Sequence, residues 1–339
     1  MEIRKMWQED CRELNIDTWA LKQWDFDLYH IMPRGKVIML ETDRGTKCLK
    51  IVQNTEHEVF HLFLLLEHLA QQGFKKVPRL IRTKFGEPYH NIGNRYYCIS
   101  DWIDGRPIDL RDQNDVSKAI RQLARLHQAA KGLILPMEKE ASFDRNNWKR
   151  DFIIIAVKLE ELMPAVTGPP FLKQSLRMMA SQAVISYRML ERAGYHQFRQ
   201  LVKRELSFCH GAYHSHHVIA SPSGEIFITG FDGWQRDLRL RDLVDFIRLV
   251  GSAEGWNSPI ASQIIPEYAG IYPLDAAEIE IIQANLWFPV GYWQLLKQLA
   301  QENSALDQTR ERMDSFLRQE EEKQKYLAEL TQWVERRSC

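Results

Sequence analysis

Between Phe208 and Trp234 the chain reads FCHGAYHSHHVIASPSGEIFITGFDGW, and its reactive side chains crowd the front of that stretch. Four histidines, His210, His214, His216 and His217, precede two short apolar runs joined by a Ser-Pro-Ser-Gly turn. A polar loop ahead of a hairpin is the outline of a phosphotransfer site, in which catalysis is mostly positioning and neutralisation of charge. Such a site needs acids, and here only Glu225 and Asp232 supply them. Magnesium takes hard oxygen ligands, whereas neutral imidazole suits zinc, nickel or copper. The spacing of the four histidines matches no zinc pattern, and Cys209 is the one cysteine close to them, so no metal site is assigned.

The elements that would position this stretch fall into two parts. The segment HIMPRGKVIMLETDRGTKCLKIV reads as three strands with turns at Pro33–Gly35 and Asp43–Gly45. A Leu- and Phe-rich helix follows over about 56–72 and stops at Gly73. Two more strands, with turns at Gly86 and Gly93, lead to DWIDGRP. Beyond it Val116, Ile120, Leu123, His127 and Ala130 recur at helical spacing after a cap at Asn114 or Asp115. Further helices are expected over about 147–163, 171–193, 241–250, 276–300 and 307–336, with the opening stretch supplying one hairpin among them. The last helix carries RQEEEKQK and reads as a solvated amphipathic helix and a candidate partner surface. The expected organisation is an N-lobe over 1–103, a helical C-lobe over 104–300 and a charged helix over 301–339, with a ligand cleft between the lobes.

Composition narrows the function classes. The 339 residues are 45% hydrophobic, enough for an ordinary core, and Lys plus Arg equals Asp plus Glu at 45 each. That balance argues against a dedicated nucleic-acid or anionic-membrane binder. Cys11, Cys48, Cys98, Cys209 and Cys339 contain no C-x-x-C pair and suggest reduced thiols. The start, MEIRKMWQED, lacks an apolar signal core, and runs such as FIIIAV are too short to span a bilayer. Cytoplasmic synthesis without a signal peptide is the expectation.

Several motifs carry a resemblance. TKCLKIV puts Lys50 where kinase-like folds keep a phosphate-gripping lysine, and ARLHQAA looks like the Leu-His segment of aminoglycoside and choline kinase-like proteins. HGAYHSHHVI resembles their catalytic loop, H-G-D-x-H-x-x-N-V-L; FITGFDGW resembles their metal-binding strand end; RLRDLVDF resembles the helix start after it. With GFKKVPRLIRTKFGEPY, YYCISDWIDGRPIDL and GIYPLDAAEIEIIQANLWFP, the chain resembles the CotS-type spore coat proteins, a group with YsxE-like and YutH-like members, over roughly residues 28–300. The resemblance implies an α+β, bilobal protein-kinase-like fold: a small β-rich N-lobe with one helix and a larger, mainly helical C-lobe with a β-hairpin. It also implies association with other spore coat proteins and residence in the spore coat.

The same comparison exposes departures. The catalytic aspartate falls at Ala212, the metal-binding asparagine at His217 and the metal-binding aspartate at Gly230. Lys50, His210, Asp232 and Asp242 keep expected positions, so Lys50 and Asp232 are nucleotide-binding candidates and His210 and Asp242 structural ones. No helix glutamate is assigned to Lys50, since Glu56 and Glu58 are near but Phe60 and His61 fit the alignment better. Asp232, two residues past Gly230, either turns toward the vacant metal position or braces the following loop. Loss of the base alone costs about 10²–10⁴ in rate, and loss of metal ligands removes further charge stabilisation. The expectation is a catalytically inactive pseudokinase with a structural or interaction role in the coat. The alternatives are an atypical small-molecule phosphotransferase with rearranged metal ligands and a nucleotide-sensing pseudokinase. No cofactor follows from the residues themselves; ATP and a divalent metal are the candidates the resemblance implies.

Overall fold

The computed structural model describes residues 11–53, 55–137, 147–165, 169–302 and 306–338. Cys339 and the stretch MEIRKMWQED lie outside the described residues. Two compact units divide the chain. The first takes the chain up to Pro107 together with Leu133–Met137 and His216–Asp232; the second takes Ile108–Gly132 and the remainder.

Alternating strands build the first unit. β1 (Leu28–Arg34), β2 (Val37–Thr42), β3 (Gly45–Val52), β4 (His90–Ile92) and β5 (Arg95–Asp101) form an antiparallel sheet in the order β1-β2-β3-β5-β4. The Asp43–Arg44 turn joins β2 to β3, with Thr42 opposite Gly45 and its hydroxyl donating to the Gly45 carbonyl at 2.6 Å. Because side chains alternate along a strand, the sheet has two different faces. Leu40, Leu49, Tyr97 and Ile99 bury one face against Trp24 and helix α1 (Thr18–Leu21). The other face carries Lys50, with Cys98 directly across from it on β5. Helix α2 (Glu56–Gln71) packs Val59 against Cys98 and Tyr96 on that face. A Thr55–Glu58 capping box opens α2, satisfying N–H groups that the helix itself leaves unpaired.

A second sheet in this unit joins β6 (Arg106–Pro107), β7 (Val218–Ala220) and β8 (Ile226–Ile228). The Ser-Pro-Ser-Gly turn closes β7 onto β8 through Gly224 N–H to the Ser221 carbonyl, 2.8 Å. Ile228 N–H donates to the Lys76 carbonyl at 2.8 Å, and Lys76 pairs with Glu225 at 2.5 Å. These contacts tie the hairpin to the segment that follows α2.

The second unit is helical: α3 (Gln113–Ala129), α4 (Trp148–Ala165), α5 (Pro170–Arg192), α6 (Tyr195–Glu205), α7 (Leu240–Glu254), α8 (Pro259–Ala269), α9 (Ala276–Trp287), α10 (Val290–Glu302) and α11 (Leu306–Ser338). The cap of α3 is Asp112, whose carboxylate accepts from Asp115 N–H at 2.8 Å, and it precedes the expected Asn114 or Asp115. Asp115 is instead buried and accepts from Asp109 N–H at 2.9 Å. The single helix expected over 276–300 is two, because Pro289 has no N–H to continue α9. Helix α6 and the proline-containing α8 were not anticipated. Helix α11 buries a stripe of Met313, Tyr326, Leu327 and Leu330, together with a Glu320–Lys323 ion pair of 2.6 Å. It packs against α9 and is therefore a core-bearing helix of this unit, not only a solvated one. Among the described residues no helix is long and apolar enough to cross a membrane.

Candidate functional site

In the first unit, β3 sets Lys50 on the face shared with α2, and the turn after β8 brings Asp232 to it. The Lys50 ammonium donates to Asp232 Oδ2. Asp232 sits in the 3-10 turn Phe231–Gly233, anchored by Phe231, which is 3% exposed. The Lys50 and Asp232 side chains are 29% and 41% exposed, so solvent screens the pair. The helix acids are engaged elsewhere: Glu56 accepts from Tyr89 Oη at 3.0 Å, and Glu58 closes the capping box at Thr55. His61 Nε2 lies 2.8 Å from the Pro136 carbonyl. Burial pushes the Cys98 thiol up to about 12, with Lys50 lowering it and Asp232 raising it. Burial likewise raises Cys48, so neither thiol offers a thiolate beside the lysine.

His217 and Gly230 are brought together in the same unit by the β7–β8 ladder. Val218 pairs with Ile228, and one step further Thr229 N–H donates to the His217 carbonyl at 2.8 Å. The imidazole then lies over Gly230. A Cβ built on Gly230 would stand 2.5 Å from Cδ2 and Nε2 of His217 and 2.6 Å from Cε1. Gly230 also has φ of +74°, a left-handed conformation open to glycine.

The second unit holds His210, Ala212 and Asp242. Asp242 opens α7 and is 1% exposed. Its Oδ2 accepts from His210 N–H at 2.6 Å and its Oδ1 from Gly211 N–H at 2.7 Å. His127 Nε2 on α3 lies 2.9 Å from the same Oδ2, and its Nδ1 lies 2.8 Å from Tyr268 Oη. Burial raises the Asp242 pKa, but His127 and His210 outweigh it and hold the carboxyl below its ordinary range. Burial pushes His127 down against the opposing pull of Asp242. An ionised carboxylate only accepts, so His127 donates through Nε2–H and its Nδ1 accepts from Tyr268. Arg239 in turn donates to Tyr268 Oη at 3.0 Å. His210 is fully buried, and its Nδ1 accepts from Ala212 N–H at 3.2 Å. The result is a rigid loop anchor, with only a methyl group at Ala212.

Sequence reading singled out His210 and Asp242 but gave Tyr268 and Arg239 no role. No local signal marks them, since Tyr268 meets His127 across 141 positions and Arg239 joins only through Tyr268.

A magnesium-phosphate group does not fit the residues present at the hairpin. Gly230 brings no ligand, an imidazole covers it, and Asp232 is bonded to Lys50. Among the described residues no three of His, Cys, Asp and Glu converge in a way that could hold a metal ion.

A five-stranded antiparallel sheet bearing a lysine, followed by a helical unit that anchors its histidine loop on a helix aspartate, is the kinase-like fold of small-molecule phosphotransferases. The structure is similar to an aminoglycoside phosphotransferase from Alicyclobacillus acidocaldarius, with a TM-score of 0.81 and 18% identity over 95% of this chain and 97% of that one. It is less similar to the amicoumacin kinase hAmiN, with a TM-score of 0.52 and 15% identity over 92% of this chain and 94% of that one. At these identities the likeness speaks for the fold alone.

In sequence, the chain is 22% identical over 311 residues to Spore coat protein S of Bacillus subtilis (strain 168), covering 86% of this chain and 88% of that protein. Residues 196–330 match the family described as "Spore coat putative kinase YutH". The resemblance carried by the histidine loop and its flanking motifs is thus found again in whole-chain and family comparisons.

Proposed function

We propose that this chain is a catalytically inactive kinase-fold protein that serves as a structural or interaction component of the spore coat. The observation that carries the reading is the His217 ring lying against Gly230, where a phosphotransferase would need an acidic ligand. The methyl group of Ala212 offers no base, and the Lys50 ammonium is already matched by Asp232. The similarity to Spore coat protein S and the match of residues 196–330 support the coat as its location.

The test of inactivity uses purified protein, labelled ATP, magnesium or manganese, and a panel of amino-alcohol, sugar and protein acceptors. No turnover is expected; turnover abolished by Lys50→Ala would overturn the reading. For location, antibody to the chain is expected to label the coat fraction of purified spores, and its absence there would remove the coat assignment.

Retention of Lys50 on β3 favours one second reading, a pseudokinase that binds nucleotide without turning it over. It predicts a rise in melting temperature with ATP even in chelator, because a ligand that binds only the folded state stabilises it. The third reading, an atypical phosphotransferase using Asp232 as a metal ligand, requires that carboxylate to leave Lys50.

A further inference from the structure

We infer that His217 and Gly230 are an interlocked pair that closes the metal end of the candidate site, so that a divalent cation is regained only when both positions change together. This rests on the inactive reading and goes on to say how the site was closed.

Removing the side chain at 230 leaves the space that the His217 ring fills, and the ring in turn leaves no room for a Cβ at 230, with three of its atoms within 2.6 Å of that point. The ring is brought there by the strand ladder, through Thr229 N–H to the His217 carbonyl and Val218 against Ile228. A carboxylate at 230 must therefore displace the imidazole, and it must also adopt φ of +74°, a left-handed conformation that costs Asp more than Gly although Asp enters it more readily than most residues. Asparagine at 217 alone frees the space but adds no acid at 230. Imidazole is in any case the wrong donor for magnesium, whose octahedron is built from oxygen. The two positions are thus coupled: an acid at 230 is accommodated only when the ring at 217 moves or is removed, and a smaller residue at 217 gains a cation ligand beside it only when 230 carries one.

The experiment is a double-mutant cycle on the full chain with His217→Asn, Gly230→Asp and both together. The readouts are the thermal midpoint and Mn²⁺ binding by electron paramagnetic resonance in the presence of β,γ-imido-ATP. Gly230→Asp alone is expected to lower the midpoint by roughly 3–8 °C, and His217→Asn to recover part of that loss in the double variant. The double variant is expected to bind Mn²⁺ on the order of ten-fold more tightly than either single one. Additive midpoint shifts, or a single variant that equals the double in Mn²⁺ binding, would overturn the interlock. Turnover by the unmodified chain would instead sink the inactive reading, while the coupling between 217 and 230 would still be decided by the midpoints. Gly230→Ala, which adds only the Cβ, separates the steric clash from the added charge if Gly230→Asp fails to fold.

Discussion

The Lys50 ammonium is bonded to the Asp232 carboxylate, although 182 positions separate the two residues. The strand lysine of the first unit is therefore neutralised by the chain itself. Both side chains remain partly open to water, so this pair does little for stability. Asp232→Asn and Lys50→Ala are each expected to unfold in urea within about 1 kcal/mol of the parent, with a coupling energy under about 1 kcal/mol. A coupling of several kcal/mol would mean that the pair is a structural brace.

Asp242 is the opposite case. It is buried and accepts from two backbone N–H groups and from His127. Asp242→Ala leaves those donors without an acceptor, and the expected loss is about 3–5 kcal/mol by urea denaturation. A loss below about 1 kcal/mol would contradict the loop anchor.

The His127–Asp242 contact also sets a pH dependence. In the unfolded chain His127 titrates near about 6.5; in the folded chain burial pushes it lower, with Asp242, Tyr268 and Arg239 around it. Below that value the unfolded chain binds the extra proton first. Stability is thus full above about pH 6.5 and falls as the pH drops toward the folded value. The depressed carboxyl of Asp242 adds a second loss at lower pH, below its unfolded value of about 3.9. Urea midpoints at pH 8, 7, 6 and 5 check this. His127→Gln is expected to flatten the decline between pH 7 and 5, and an unchanged slope would assign the decline to other groups.

Gly211 tests the tightness of the histidine loop. Its φ is +75°, and a Cβ there would collide with the Gly233 carbonyl oxygen, a backbone atom that cannot swing away. Gly211→Ala is expected to cost at least about 2 kcal/mol, from left-handed strain plus overpacking. Differential scanning calorimetry reads the loss, and a midpoint equal to the parent would refute the close approach.

Helix α11 is expected to act as a packing element despite its charge. Leu330, 4% exposed, should cost about 2–5 kcal/mol on change to Ala, while the exposed Glu321→Ala should stay within about 0.5 kcal/mol. Equal small effects at both positions would return the helix to solvent.

Much of the architecture was legible because it is written in local patterns. The alternation in TKCLKIV predicted β3 and the Asp-Arg-Gly turn before it, and the apolar run after Thr55 predicted α2 up to Gly73. Helix ends were less legible where two candidates compete, as at Asp112 and Asp115, because the winner depends on which carboxylate is free and which is buried. Pro289 was visible in the sequence, inside the single helix expected over 276–300, and the structure ends one helix at Trp287 and starts the next at Val290 with the proline between them.

By itself the sequence determined which side chains are present: a methyl at Ala212, no side chain at Gly230, an imidazole at His217 and an amine at Lys50. Those identities limit the available ligands whatever the fold. Tertiary structure alone decided which of them meet. Strand register carried His217 onto Gly230, a turn of the chain delivered Asp232 to Lys50, and helix packing drew His127 to Asp242 and Tyr268 to His127. The reason is range: periodicity encodes the neighbours three or four residues away, whereas these contacts depend on how buried surfaces far apart in the chain pack together.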